Sequence, residues 1–182
     1  IGRGVIDLQI QALRKLKKSI GQSFNDAVDL LSKCQSKVIL CGVGKSGLIA
    51  SKISATLSSV GIPSFNLSAS DSSHGDLGSI SKKDILIILS YSGNTDELRN
   101  LIEYANRNRI KLIGTMSKKN SILSKNSNIK LLIPEVKESG YGIVPTSSTT
   151  AQLAIGDALA ISLMYQKKFN KMDFKKIHPS GN

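Results

Sequence analysis

"VILCGVGKSG", residues 38–47, is an apolar run that ends in three glycines with the spacing Gly42-x-Gly44-x-x-Gly47. An apolar run without polar alternation is typical of a strand that is buried on both faces. Residues 46–61 then have the pattern of a helix that ends at Gly61, where a left-handed cap forms easily. The stretch therefore predicts a buried strand, a tight glycine turn and a helix, in that order.

The same alternation of strand and helix continues along the chain. Further strands are predicted in residues 63–69, 84–90, 110–117 and 128–134, with helices in residues 95–109, 147–168 and 173–177. Strands that alternate with helices favour a parallel sheet covered by helices on both faces. We therefore predict an α/β fold with a doubly wound, five-stranded parallel sheet in a flavodoxin-like, three-layer arrangement. Residues 1–36 are expected to form a helical lead-in, because apolar side chains recur at helical spacing within residues 6–33.

Length and composition indicate one globular domain over residues 1–182. The net charge is +12, but the lysines are dispersed and aromatic residues are scarce, so we expect no nucleic-acid binding. No apolar run approaches the roughly 20 residues that a membrane-spanning helix needs, and we expect no membrane partner. The two cysteines, Cys34 and Cys41, are expected to be reduced, as in a cytoplasmic protein. The chain lacks an initiator Met and is expected to be a trimmed piece of something longer.

The glycine turn has two familiar interpretations, and neither fits well. A triphosphate-binding loop would need a glycine at position 39, which is Ile39. A dinucleotide site needs an acidic residue about 20 positions further on, at the end of the next strand, where this chain has Ser68, Ala69 and Ser70. The turn is thus more consistent with a different phosphate ligand.

A second loop supports that conclusion. "ILSYSGNTDEL", residues 88–98, leaves a predicted strand and enters a helix, with hydroxyls at Ser90, Ser92 and Thr95 around Gly93. Such a helix entry is a ready-made site for an anion, although serine and threonine at this place can also be simple N-caps. "PTSSTT", residues 145–150, opens the longest helix in the same way.

These clusters suit one compact phosphate on a small molecule and do not suit a long dinucleotide. The predicted substrate contacts from the glycine turn and the two helix entries are Gly44, Lys45, Ser46, Ser90, Ser92, Thr95, Ser147, Ser148 and Thr149. No cofactor is expected.

The motifs "GVGKSG", "HGDLG", "SYSGNTDE", "PTSSTTAQLAIGDALA" and the closing "HP" resemble the sugar isomerase (SIS) domain of arabinose-5-phosphate isomerases. The resemblance runs from about residue 6 to the end. It implies a five-stranded, doubly wound parallel sheet and the interconversion of D-ribulose 5-phosphate and D-arabinose 5-phosphate, the first step toward the octulosonic acid of lipopolysaccharide. It also implies a homo-oligomer, expected as a homotetramer with active sites at subunit interfaces, and a pair of regulatory CBS domains that this chain does not contain.

The resemblance assigns catalytic positions to Lys45, Glu97, Glu138 and His178, and a substrate contact to His74. Two departures matter. The family usually has "EACPLG" where Glu138 is followed by "SGYG", so the match at Glu138 spans a gap of one residue. The family's metal-binding histidine falls on Ser68, and we therefore expect no metal site.

An aldose–ketose isomerase must take a proton from a carbon beside the carbonyl and return it to the neighbouring carbon, which suits a carboxylate. Glu97 and Glu138 are both candidates, and the sequence does not separate them. Glu97 could also be a first-turn partner of the helix dipole, Lys45 a solvated surface residue and His74 a capping histidine. Two other functions stay open: a non-catalytic sugar-phosphate sensor, and an isomerase for a different phosphosugar.

Overall fold

The structure is a computed structural model that describes residues 1–72 and 75–178, apart from the side chain of Asp71. Its helices and strands alternate after a helical start. In chain order they are α1 (Gly2–Ser19), α2 (Gln22–Ser32), β1 (Val38–Gly42), α3 (Lys45–Ser59), β2 (Ser64–Ser68), α4 (Ala69–Ser72), β3 (Ile85–Leu89), α5 (Arg99–Arg107), β4 (Lys111–Met116), α6 (Ile122–Asn126), β5 (Ile129–Leu132), α7 (Ser147–Gln166) and α8 (Lys171–Ile177). Two 3₁₀ helices, Asp76–Ser79 and Asp96–Leu98, precede β3 and α5.

The five strands form one sheet in the order β2-β1-β3-β4-β5, and every neighbouring pair is parallel. This confirms the predicted fold class. All five residues of β1 and of β3 are buried, as the unbroken apolar runs predict for strands at the centre of a parallel sheet.

Two hydrophobic clusters cover the two faces of the sheet. On one face, alternate residues of β1 and β3 pack with residues of α1, α2, α3 and α7, including Leu31, Leu57 and Leu163. On the other face, the remaining residues of the same strands pack with α5 and with Leu123 of α6. Cys41 belongs to this second cluster, and burial raises the pKa of its thiol to about 12. Both cysteines are free.

Two element boundaries differ from the sequence-based expectation. The helical lead-in is divided into α1 and α2, because Ile20 is extended and Gly21 is the N-cap of α2. The helix predicted from residue 95 begins instead as the 3₁₀ turn Asp96–Leu98 and becomes α-helical at Arg99. Across the residues that the structure describes, no helix is both long and apolar enough to cross a membrane.

The strand order places a crevice between β1 and β3. The chain leaves β1 toward β2 and leaves β3 toward β4, so the two connections diverge to opposite sides. Open parallel sheets bind ligands at such a point, outside the carboxyl ends of the strands. Gly42 is paired in register with both Leu89 and Ser68, so β1, β2 and β3 end at the same level.

Candidate active site

The glycine turn brings the end of β1 into direct backbone contact with the first turn of α3. A Cβ atom placed on Gly42 would lie 2.7 Å from the carbonyl carbon of Ser46, and one placed on Gly47 would lie 2.8 Å from the carbonyl oxygen of Gly42. Neither position has room for a side chain unless the helix moves. The two outer glycines therefore serve close packing of strand and helix, whether or not a nucleotide is present.

The middle glycine faces open space. Gly44 has a φ of +58°, and a Cβ atom there would meet nothing within 4 Å. It is the N-cap of α3, and no side chain of the described residues caps this end of the helix. Lys45, the first residue of α3, is exposed. The hydroxyl of Ser46 instead points toward α7 and donates to Oε1 of Gln152 over 3.2 Å.

A cavity of about 440 Å³ opens at this turn. It is lined by residues from three places: the end of β1 with α3 (Gly42, Val43, Gly44, Gly47, Leu48, Ser51), the end of β2 with α4 (Asn66, Ser68, Ala69, Ser70), and Glu97. Its volume lies within the range of small-molecule sites. The structure thus brings two predicted site residues, Gly44 and Glu97, to one cavity, although they come from different loops.

The loop Ser90–Thr95 follows β3 and leads into the 3₁₀ turn that carries Glu97. We call it the phosphate loop because the sequence predicts that it binds a phosphate. Ser90 is buried, and its Oγ lies 2.8 Å from Oγ1 of Thr95. The amide of Gly93 donates to Ser90 Oγ over 3.0 Å. Thr95 is at the N-cap position but makes no side-chain capping bond to the described residues, because its hydroxyl is turned to Ser90. The Oγ of Ser92 accepts the amide of Asn94 over 3.2 Å. The three hydroxyls therefore bond within the loop itself and do not cap the first amides of the helix.

The phosphate loop is fixed on the neighbouring helix α6. Gly93 has a φ of +70°, and a Cβ atom there would collide with the side chain of Ser121. The amide of Leu123 donates to the carbonyl of Gly93 over 3.0 Å, and the amide of Ile122 donates to Oδ1 of Asn94 over 2.9 Å. The sharp turn that Gly93 permits thus packs the loop against the start of α6.

Glu138 lies at the N-terminus of α7 and acts as its cap. Its Oε2 accepts the amides of Thr146 and Ser147, each over 2.8 Å, and the hydroxyl of Thr146 over 3.1 Å. Its Oε1 accepts the amide of Ser148 over 3.2 Å. A carboxylate of the chain itself therefore occupies the helix entry that the sequence offers as a second phosphate contact.

The protonation of Glu138 reflects this arrangement. Partial burial opposes ionisation, but the hydrogen bonds from Ser148, Thr146 and Ser147 outweigh it and hold the pKa of the carboxyl below its usual value. The carboxylate is thus stable as an anion at neutral pH.

The hydroxyls of the α7 entry are partly engaged elsewhere. Ser147 is fully buried, and its Oγ has no hydrogen-bond partner among the described residues. The hydroxyl of Thr149 donates back to the carbonyl of Thr146 over 2.9 Å. Their role as substrate contacts, like that of Ser148, stays a prediction.

Of the two predicted histidines, only His178 is described, and it is not part of this arrangement. His178 follows α8, where its ring stacks on Phe174 with centroids 3.8 Å apart and its Nδ1 lies 3.0 Å from the Phe174 carbonyl oxygen. His178 does not line the cavity. His74, the expected substrate contact, lies outside the described residues. Within residues 1–72 and 75–178, no group of three or more His, Cys, Asp or Glu side chains could hold a metal ion.

Sequence reasoning missed several residues of this region. Asn66 and Leu48 line the cavity, and Gln152 is fully buried beside Ser46. Tyr91 lies inside the phosphate loop but bonds to segments distant in sequence. The sequence shows that Tyr91 lies between two serines of the motif. Its hydrogen-bond partners follow only from the order of the strands in the sheet.

Comparison with known proteins finds relatives along the whole chain. The SIS domain family model matches residues 30–162. The arabinose 5-phosphate isomerase KdsD of Francisella tularensis is 42% identical over 178 residues, and a protein of Rickettsia prowazekii, RP505, is 42% identical over 181 residues. These matches cover 96% and 100% of this chain, but 54% and 57% of the relatives. The chain therefore spans about half the length of the curated relatives that it matches.

Solved structures give the same result at the level of the fold. The structure of Escherichia coli CFT073 c3406 in complex with arabinose 5-phosphate has a TM-score of 0.88 and 34% sequence identity, with 97% of this chain and 96% of that chain covered. Family model, relatives and structural similarity all converge on one assignment. The chain belongs to the SIS domain family.

Proposed function

We propose that this domain is an aldose–ketose isomerase that interconverts D-ribulose 5-phosphate and D-arabinose 5-phosphate. The observation that carries the proposal is the position of Glu97, which lines the same cavity as the glycine turn and directly follows the phosphate loop. Supporting it, several relatives bear the name arabinose 5-phosphate isomerase, and the similar E. coli structure is a complex with arabinose 5-phosphate. In the family that this chain resembles, the product leads to the octulosonic acid of lipopolysaccharide.

The phosphate group is proposed to bind at the phosphate loop. Ser90, Ser92 and Thr95 supply hydroxyls, and the first turn of the following helix supplies amides that no described side chain caps. The helix dipole favours an anion there by about 0.3–1 kcal/mol. Because β1 and β3 are neighbours that end at the same level, a phosphate at this loop directs the sugar toward the glycine turn.

The reaction moves one proton between adjacent carbons. A carboxylate of the enzyme takes a proton from C1 of ribulose 5-phosphate, an enediol forms, and the proton returns to C2 while the hydroxyl proton passes from O1 to O2. We propose Glu97 for the proton shuttle and Lys45 for electrostatic stabilisation of the enediolate oxygen. Gly44 allows the backbone to approach the ligand, and Ser46 is proposed as a further substrate contact.

Glu138 is the second carboxylate that the resemblance places among the catalytic residues. Its lowered pKa and its hydrogen bonds to α7 make it a weaker base than an unpaired carboxylate, because protonation would break the cap. We therefore propose that Glu138 stabilises the α7 entry, where Ser147, Ser148 and Thr149 complete the site, and that Glu97 carries the proton.

A homotetramer with active sites between subunits is also proposed. Ile6, Ile10 and Leu13 form an apolar stripe on α1 at helical spacing, and Ile6 is 57% exposed. On α7, against which α1 packs, Tyr165 is 79% exposed. A second copy of the chain is the occupant that would bury these residues. In such an assembly we propose that His178 reaches the cavity of a neighbouring subunit and assists ring opening, and that His74 contacts the sugar.

The cytoplasm is the proposed location of the domain. Both cysteines are free thiols, which is the state that a reducing compartment maintains. Detection of the domain in the membrane or secreted fraction of fractionated cells, rather than in the cytosolic fraction, would contradict this proposal.

Glu97→Gln is expected to lower turnover of ribulose 5-phosphate by about 10²-fold or more, because the amide cannot accept the proton. The melting temperature should stay unchanged, since Glu97 is exposed. The measurement is formation of arabinose 5-phosphate by the purified domain. Glu103→Gln, an exposed glutamate on α5, is the matched control and should keep full activity.

Near wild-type turnover in Glu97→Gln would remove Glu97 from the proposed mechanism. A wild-type domain that is stabilised by the phosphosugar but forms no aldose would instead indicate a sensor of sugar phosphates.

Glu138→Gln is expected to lower the free energy of unfolding by about 0.5–2 kcal/mol near neutral pH, because a charged helix cap is lost. A carboxyl whose pKa is depressed in the folded state stabilises the fold above its unfolded pKa and loses this effect as the pH falls through the folded pKa. The difference between wild type and variant, measured by urea unfolding, should therefore shrink toward about pH 3. Glu135→Gln, in the same segment but exposed, should show no such difference. An equal difference at both pH values would contradict the charged-cap role.

Sedimentation velocity tests the assembly. At about 10 µM, a concentration at which stable apolar interfaces of this kind persist, the wild-type domain should sediment as a tetramer. The double variant Ile6→Lys with Ile10→Lys should yield smaller species, because lysine on the stripe would be buried without a partner. A wild-type domain that is monomeric throughout would refute the proposed interface sites.

A further inference from the structure

Tyr91 lies between the two serines of the phosphate loop, yet its own contacts lead away from that loop. Its phenol oxygen accepts the amide of Val136 over 2.9 Å. Val136 lies 45 positions after Tyr91 in the chain. It belongs to the segment that follows β5. The side chain of Tyr91 is half-buried and packs against the hydrophobic cluster on the α7 face of the sheet. Tyr91 therefore connects the phosphate loop to a distant segment through both packing and a hydrogen bond.

The backbone of Tyr91 makes a second connection. Its carbonyl oxygen accepts both the amide and the hydroxyl of Ser117, each over 2.8 Å. Ser117 directly follows β4. One residue thus joins the loops that leave β3, β4 and β5 at the carboxyl edge of the sheet, where the proposed ligand binds.

The far end of this connection is the cap of α7. Val136 precedes Glu138 by two residues, and Glu138 holds the amides at the start of α7. Burial raises the pKa of the Tyr91 phenol, with a smaller contribution from the charges of Glu138 and Glu135, so the hydroxyl keeps its proton at neutral pH. A neutral phenol can accept the Val136 amide without adding a negative charge beside Glu138.

We infer that Tyr91 is a positioning residue that braces the phosphate loop on two sides: through its carbonyl against Ser117, and through its phenol against the segment carrying Glu138 and the start of α7. The inference rests on the proposed phosphosugar function. A loop that is already held in its binding geometry loses less conformational entropy when the phosphate arrives. Because the phosphate does not react, it is bound equally in the ground state and the transition state, so loosening the loop should raise KM and leave kcat unchanged.

Tyr91→Phe removes the hydroxyl and keeps the packed ring. The KM for ribulose 5-phosphate should rise about 3- to 10-fold, the factor expected for loss of one hydrogen bond, with kcat within about threefold of wild type. The inorganic phosphate concentration needed for a given rise in melting temperature should increase by a similar factor. Tyr104→Phe, which alters a half-buried tyrosine on α5, is the matched control and should change none of these values.

The outcomes separate positioning from other roles. A lower melting temperature with unchanged KM and unchanged phosphate affinity would mean that the brace is merely structural and would overturn the inference. A fall in kcat of about 10²-fold or more at constant KM would also overturn it, since Tyr91 would then act on the reacting atoms.

Failure of the proposed function can be told apart from failure of this inference. If the wild-type domain isomerises nothing but is stabilised by inorganic phosphate, the phosphate affinities of wild type and Tyr91→Phe decide alone. Weaker affinity in the variant supports the positioning role of Tyr91, and equal affinity refutes it. A wild-type domain that neither isomerises the sugar nor is stabilised by phosphate would overturn both the phosphate-binding role of the loop and the inference.

A second variant keeps the test valid if Tyr91→Phe does not fold. Ser117→Ala removes the hydroxyl that donates to the Tyr91 carbonyl. The hydrogen bond from the Ser117 amide to the same carbonyl stays in place. It should raise KM, and the phosphate concentration needed for a given rise in melting temperature, by about two- to fivefold. Unchanged values in this variant would overturn the inference.

Discussion

The end of β1 and the first turn of α3 lie so close together that no side chain fits between them. A Cβ atom on Gly42 or on Gly47 would lie less than 3 Å from backbone atoms of the other glycine's segment. This contact fixes the start of α3 at the crevice between β1 and β3, and it leaves Gly44 free to turn with a positive φ toward the cavity. A cavity wall made of backbone lets a ligand approach more closely than side chains would permit. The position of Lys45 and the shape of the cavity both follow from this contact.

The two hydroxyl-rich helix entries have different roles in the structure. At α7 the first amides already bind Glu138, so that anion-binding position is filled by the chain. At the phosphate loop the hydroxyls of Ser90 and Thr95 bond to each other, and no described side chain caps the turn that follows. An external phosphate therefore competes with a carboxylate at one entry but only with a hydroxyl pair at the other. The preference for the phosphate loop follows from this difference.

The sequence predicts the sheet well because its signals are local. An unbroken apolar run is buried only when both faces of its strand are covered. All residues of β1 and β3 are buried, as this requires. The division between α1 and α2 was missed because the apolar periodicity continues across Gly21. In the site, Glu97 lines the cavity because a first-turn residue follows its loop directly, and its catalytic role stays a prediction. The cap formed by Glu138 and the brace formed by Tyr91 depend on contacts between distant segments, which local spacing does not encode.

A crystal structure of the domain with arabinose 5-phosphate tests the central claim most directly. We expect the phosphate oxygens within hydrogen-bonding distance of the hydroxyls of Ser90, Ser92 and Thr95. The sugar should extend toward Gly44 and Glu97, with Glu138 still bound to the α7 amides. A phosphate seated at the start of α7 with Glu138 displaced, or a ligand bound away from the crevice between β1 and β3, would contradict it.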